Sequence, residues 1–246
     1  MGRAFEYRKA RKMKRWSAMA KINSRISRDI VIAIKEGNGI ADPDMNARLR
    51  AVMQNAKSSN VAKTVIERAI KKATDKDTAN YKEALFEGYA PHGVAIIIET
   101  ATDNNNRTVA NVRSYFNKCN GSLGTAGSVS YMFERNCHFK IAKGELDPEE
   151  LELELIDFGA EELFVDEGED GEPDAIMIYG AFGDYGALQG ALEKMGVEII
   201  SSGFERIPNV TKTLNAEQAA DVEKLLDKME EDEDVMNVYH TMVLEG

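Results

Sequence analysis

Residues 94–135 read VAIIIETATDNNNRTVANVRSYFNKCNGSLGTAGSVSYMFER, and the reading of this stretch decides the fold. Val94 to Thr100 is a run of apolar and β-branched side chains, the composition of a buried strand. Between Asn105 and Lys118 the apolar residues Val109, Val112 and Phe116 fall at helical spacing, and Ser128 to Arg135 returns to strand composition. Strand, helix and strand in that order form half of a split βαβ fold. The other half lies far downstream. There a strand over 206–213 precedes a helix opened by Asn215 and Gln218 in capping-box spacing, with Val222, Leu225, Leu226 and Met229 inward, and a strand follows over 235–242.

Between the halves the same elements recur: a strand near 138–142, a helix after Asp147 and Pro148, strands near 162–165 and 175–179, a helix over 185–195 and a strand over 197–204. In the helix after Pro148, Leu151, Leu153 and Leu155 alternate as a strand would. The Asp-Pro-Glu-Glu start and the spacing of Leu151, Leu155 and Phe158 select helix. Upstream, Ile22, Ile26, Ile30 and Ile34 predict a helix from about Ser17 to the Gly-Asn-Gly at 37–39. Asp42 and Pro43 open a second, with Met45, Leu49, Val52, Met53 and Ala56 inward, and a third starts near Asn60 with Val61, Val65, Ile66, Ala69 and Ile70. Three such stripes joined by short turns close on one another, because none has another partner. The expected fold is α+β and multidomain: an N-terminal three-helix bundle over 1–80, a ferredoxin-like split-βαβ domain over 81–135 and 206–246, and a second one, residues 136–205, inserted in it.

Net charge is -11, but the average hides a division. Residues 1–82 hold 20 Lys and Arg against 8 Asp and Glu, and the remainder holds 11 against 34. Arg3, Arg8, Lys9, Arg11, Lys12, Lys14, Arg15, Lys21, Arg25 and Arg28 face a single acid, Glu6, before Asp29. So dense a block repels itself, which favours a mobile arm that orders against a polyanion. Cations that neutralise phosphates release condensed counterions, and Tyr7 and Trp16 are available to stack on bases. Arg68, Lys71 and Lys72 fall on the wet side of the third helix, and Arg107 sits where a strand gives way to a helix N-terminus that favours an anion. These fourteen cations are the candidate nucleic-acid-binding residues.

Catalysis has no visible site. Cys119 and Cys137 have no metal-ligand spacing, His92, His138 and His240 stand singly, and no Walker or nucleophile-elbow motif occurs. Gly121, Gly124 and Gly127 follow a helix and open a strand, the reverse of a dinucleotide fingerprint, so they read as turn or close-approach glycines. The acids at 145–154, 166–172 and 230–234 run consecutively, as solvated surface does, whereas a metal-dependent nuclease needs carboxylates converging from separate strands. No cofactor, metal, membrane or small-molecule substrate is expected. Without a long apolar run or an apolar N-terminal segment, a cytoplasmic location is expected.

Several segments carry a family resemblance: MGRAFEYRK at 1–9, SR at 24–25, NARLR at 46–50, VIERAIKKA at 65–73, FEGYAPHGVA at 86–95, DNNNRT at 103–108 and GSLGTAGSV at 121–129. Together they resemble the YebC/PmpR family of transcriptional regulators, which includes the mitochondrial translational activator of cytochrome c oxidase. The resemblance spans essentially the whole chain. It departs from the family pattern in two turns, at NGIADP (38–43) and VAK (61–63). It implies a three-domain cytoplasmic protein that binds nucleic acid without cofactor or catalysis. The expected function is transcriptional regulation through DNA bound by the arm and bundle. The alternative is a translation factor that touches ribosomal or messenger RNA, and a metal-dependent nuclease ranks third.

Overall fold

The computed structural model describes the backbone of residues 3–75, 81–167 and 173–245, and the side chains of those residues from Met19 onward. Helix α1 (Arg3–Glu36) is 34 residues long. The sequence places its start near Ser17, but nothing before Gly37 breaks it, and Arg, Lys, Ala, Met and Glu are all good helix formers. The basic segment therefore continues the helix instead of standing apart as an arm.

Two short helices follow, α2 (Ala47–Ser58) and α3 (Lys63–Thr74). The start of α2 is a correction to the sequence reading, since Asn46 and not Asp42 caps it. The Asn46 side chain accepts from Leu49 N at 3.0 Å and donates to the carbonyls of Ala33 and Ile40 at 2.9 and 3.0 Å. It thus ties the entrance of α2 to the exit of α1. Gly37 is required beside it, because a Cβ there would lie 2.3 Å from the Asn46 amide nitrogen. Met45 is correspondingly left exposed, outside the stripe assigned to it. Ile26, Ile30, Ile34, Leu49, Ala56, Val61 and Ala69 close the core of the three helices.

Strands β1 (Lys82–Tyr89) and β2 (Ala95–Thr102) form a hairpin, α4 (Asn105–Lys118) follows, and β3 (Ser122–Leu123) returns beside β1. Next come β4 (Phe133–Ala142), α5 (Pro148–Leu155), β5 (Ala160–Asp166), β6 (Ala175–Ala181), α6 (Tyr185–Lys194) and β7 (Ile199–Pro208). The chain closes with β8 (Lys212–Leu214), α7 (Ala216–Glu231), β9 (Val235–His240) and β10 (Met242–Leu244). One antiparallel sheet has the order β3-β1-β2-β9, and Val112 and Phe116 of α4 with Val222, Leu225 and Met229 of α7 bury its Ile96 and Ile98. The other has the order β5-β6-β4-β7, with Leu151 and Leu155 of α5 and Leu188 and Leu192 of α6 packed on Phe139, Ile141, Ile176 and Ile178. That second sheet is the split βαβ arrangement expected between the two halves.

Three strand assignments change. β1 was not anticipated, because KEALFEGY is rich in Glu, Ala and Gly, which are weak strand formers; pairing with β2 and β3 outweighs that preference. The strands expected at 128–135 and 138–142 are one strand, β4, and it belongs to the second sheet. Those expected at 197–204 and 206–213 are mainly one strand, β7. β4 and β7 pair along their whole length, from Phe133 opposite Pro208 to Ile141 opposite Ile199. Asn136 and Glu205, which fall in the gaps between the expected strands, oppose one another in that ladder. The capping box on α7 is present as expected, with Asn215 and Gln218 bonded reciprocally.

The bundle docks on the second sheet through an edge contact. The Asn55 side chain of α2 donates to Ser202 O at 2.7 Å and accepts from Ser202 N at 2.9 Å, imitating one rung of a strand on the open edge of β7.

Candidate nucleic-acid interface

The bundle presents fewer available cations than its composition suggests. Arg48 pairs with Glu36 and, at 2.7 Å, with Glu83; Arg50 pairs with Glu193 at 3.3 Å and Lys57 with Glu198 at 3.8 Å. Part of the charge division along the chain therefore fastens the basic helices to the acidic body. Opposite charges read from the sequence as two surfaces meet here as one interface.

Two candidate binding residues are drawn into such contacts. Arg28 is buried, 3.8 Å from Asp234 and 3.9 Å from Glu233, with its guanidinium 5.6 Å from the centre of the Tyr81 ring. Arg107 reaches the same Asp234 at 2.8 Å and Asp103 at 3.0 Å. Both line a cleft of about 450 Å³ between α1 and α4, together with Asn111, Tyr115, Asp232 and Glu233. With four carboxylates against two guanidiniums, this cleft does not invite a phosphate. Asn104, the N-cap of α4, accepts from Arg107 N, so the local polar run does structural work there.

The remaining candidates are placed as follows. Lys21 and Arg25 are half-buried along α1, and Arg68 and Lys71 are exposed on α3; among the described residues none of these four makes an ion pair. Lys72 is exposed, donates to Tyr81 Oη at 3.0 Å and lies over that ring. Arg3, Arg8, Lys9, Arg11, Lys12, Lys14 and Arg15 lie along the first half of α1, and their side chains, with those of Tyr7 and Trp16, fall outside the described ones.

The glycine-rich loop, read from the sequence as turn or close-approach glycines, takes a structural role. Glu87 is a buried carboxylate in β1, and it accepts backbone N–H groups from Gly127, Val129 and Ser130 at 2.8, 2.8 and 2.9 Å. Burial alone would raise its pKa, but these donors and the Ser130 hydroxyl hold it below the ordinary value. The glycine-rich loop is thus an anion cradle whose anion is the protein's own. Gly127 supplies the left-handed turn at φ 86°. Gly121 allows close approach, since a Cβ there would lie 2.7 Å from Tyr89 O. An acid flanked by strand residues in FEGY, with a Gly-rich loop downstream, was the only signal in the sequence.

Asp29 has a measurable consequence. Burial pushes its carboxyl up to about 7, Arg48 and Arg25 oppose the shift and Glu83 adds to it. Between its ordinary pKa and the raised one, the unfolded chain is ionised while the folded chain holds the proton, so stability falls as pH rises through that window. Asp29→Asn is expected to be more stable than wild type by on the order of 2 kcal/mol at pH 8, with a smaller gain at pH 5. Urea unfolding at the two pH values checks it; an equal gain at both would place Asp29 in an ionised state throughout.

Comparison with known proteins covers nearly the whole chain. Residues 3–76 match the family model described as TACO1/YebC protein N-terminal domain, and residues 81–242 match TACO1/YebC second and third domain. A protein of Flavobacterium psychrophilum named a probable transcriptional regulatory protein is 68% identical over 242 residues, 98% of this chain and 99% of the relative. Relatives with the same descriptive name occur in Porphyromonas gingivalis, 55% identical over 98% of this chain and 97% of the relative, and in Myxococcus xanthus, 48% identical over 98% and 100%. The crystal structure of a conserved hypothetical protein from Aquifex aeolicus superposes with a TM-score of 0.74 at 36% identity, covering 92% of this chain and 91% of that one.

Proposed function

The chain belongs to the TACO1/YebC family, and from that premise we propose that it is a cytoplasmic, non-enzymatic regulator of transcription that grips the phosphate backbone of DNA with its helical head. The observation that carries this reading is the charge on α1 and α3. Ten Lys and Arg precede Asp29, and of these Arg28 turns inward; Arg68 and Lys71 add to them from α3. Phosphate contacts of this kind set affinity and register and carry no base information. The binding set we propose is therefore Arg3, Arg8, Lys9, Arg11, Lys12, Lys14, Arg15, Lys21, Arg25, Arg68, Lys71 and Lys72. Arg28 and Arg107 are left out, because their charges are held by Asp234.

The relatives' description as probable transcriptional regulatory proteins favours DNA as the polyanion. The same head suits ribosomal or messenger RNA, since counterion release is blind to the sugar. Crosslinking in growing cells, followed by sequencing of the captured nucleic acid, separates the two. Chromosomal fragments enriched at promoters are the expected result, and recovery of ribosomal RNA alone would replace transcription with translation.

A further inference from the structure

The sheet β5-β6-β4-β7 has two faces, and its two helices pack on only one of them. On the other, the register brings aromatic rings from three strands into a row. Tyr179 of β6 stands opposite His138 of β4, which stands opposite Gly203 of β7. Phe164 of β5 lies one pair along, opposite Met177. The Phe164 and Tyr179 rings are 6.0 Å apart between centres and inclined by only 15°, and the Tyr179 and His138 rings are 6.0 Å apart. Phe164 is 43% exposed. At the far end Gly203 keeps the shelf low, since a Cβ there would come within 3.2 Å of the His138 ring. Among the described residues, His138 Nδ1 is buried without a hydrogen-bond partner.

Phe164 and Tyr179 lie nearly parallel and His138 is tilted by 39° from Tyr179; a row of rings on a split-βαβ sheet is a stacking surface, and both bases and guanidinium groups stack. Charge decides between them. No Lys or Arg occurs between Lys143 and Lys194, a span that supplies β5, β6 and both helices of this unit. Glu162 sits opposite Tyr179, and Glu205 hydrogen-bonds the Tyr179 hydroxyl. Lys140, the cation on this face, is paired with Asp166 at 2.6 Å. A phosphate backbone laid across these carboxylates is repelled, whereas a guanidinium gains both a ring and a counter-charge. The protein already uses this contact once at a neighbouring end of the sheet, where the Arg135 guanidinium lies 3.8 Å from the centre of the Phe182 ring and 5.4 Å from that of Phe204.

We infer that this open face is a docking platform for an extended, arginine-rich polypeptide segment of a partner protein, with guanidinium groups on Phe164, Tyr179 and His138 and the carboxylates of Glu162 and Glu205 beside them. It is a second binding surface, independent of the polyanion gripped by the head. A protein with both surfaces bridges a nucleic acid and a basic protein that accompanies nucleic acid.

Fluorescence anisotropy with the full-length protein tests this. The probe is a labelled peptide of alternating arginine and serine, compared with its lysine counterpart and with oligouridylate. Wild type is expected to bind the arginine peptide more tightly than the lysine one, because an ammonium lacks the plane that stacks. Phe164→Ala and Glu162→Gln should each weaken it, the former by about tenfold, while Phe164→Tyr retains it. Both positions are solvent-exposed on an edge strand, so unchanged thermal unfolding is expected to accompany the loss. Equal peptide binding by wild type and both weakening variants, or no binding of the arginine peptide at low salt, overturns the proposal. So does loss of oligouridylate binding in place of peptide binding, which would make the face a base-stacking platform. Self-association abolished by Phe164→Ala, with no peptide bound, would assign the face to a second copy and overturn it as well.

Discussion

Replacing Arg8, Lys9, Arg11, Lys12, Lys14 and Arg15 together with glutamine is expected to lower affinity for duplex DNA on the order of a thousandfold at 0.1 M salt. Glutamine keeps the helix propensity of the residues it replaces, so α1 and the bundle beneath it should persist. The diagnostic quantity is the slope of log K against log salt, which each lost phosphate contact reduces by about 0.9 on duplex DNA and about 0.7 on a single strand. If most of the six positions touch phosphate, the slope drops by about 4 or 5 on a duplex. The size of the drop per residue thereby also reports which kind of nucleic acid is held. Arg107→Gln provides the contrast. Its charge is already held by Asp234 and Asp103, so it should leave the slope unchanged. A six-residue variant with the wild-type slope would remove the first half of α1 from the interface.

What the sequence made legible, and what it hid, follows from the range of each interaction. Helical stripes, apart from Met45, the Asn215 capping box and the strand at 175–179 are local patterns, and they survive in the structure. The continuity of β4 and β7 is not local. It is set by a ladder between residues some 60 to 75 positions apart, in which Glu134 to Asn136 face Glu205 to Ile207. Read singly, Asn136 and Glu205 separate two strands each; read as a pair, they are one rung of a continuous ladder. The candidate site suffered in the same way. Arg28 and Arg107 look like their neighbours in composition, and only the fold brings both to one acid more than a hundred residues downstream. The same holds for Glu87, whose role is fixed by a loop forty residues away. Charge density along a helix is legible, but which charges are already paired is not.

That shared acid yields the largest stability effect. The Asp234 carboxylate is buried, accepts from Arg107 Nη2 at 2.8 Å, Thr108 Oγ1 at 2.8 Å and Thr102 Oγ1 at 3.1 Å, and stands 3.8 Å from Arg28. Burial alone would raise its pKa, yet these donors hold it below the ordinary carboxylate range. Asp234→Ala leaves the buried Arg28 with only the exposed Glu233 as counter-charge, takes one of two carboxylates from Arg107 and removes the acceptor of the buried Thr102 hydroxyl, which is expected to cost about 3–5 kcal/mol. For a chain of this size the thermal midpoint should fall by about 10 °C. The pH dependence has a definite sign. A depressed folded pKa contributes stability that is fully present above the unfolded value and is lost as pH falls through the folded one. The gap between wild type and variant should therefore be constant at neutral pH and shrink below about pH 4. Removing Arg28 as well, as Arg28→Met with Asp234→Ala, should recover part of the loss, because the stranded charge is then gone. A loss under about 1 kcal/mol would place this cluster among exposed ion pairs, and the joint between the bundle and the body would then rest on the apolar contacts, the Asn55 bridge to β7 and the ion pairs of Arg48, Arg50 and Lys57.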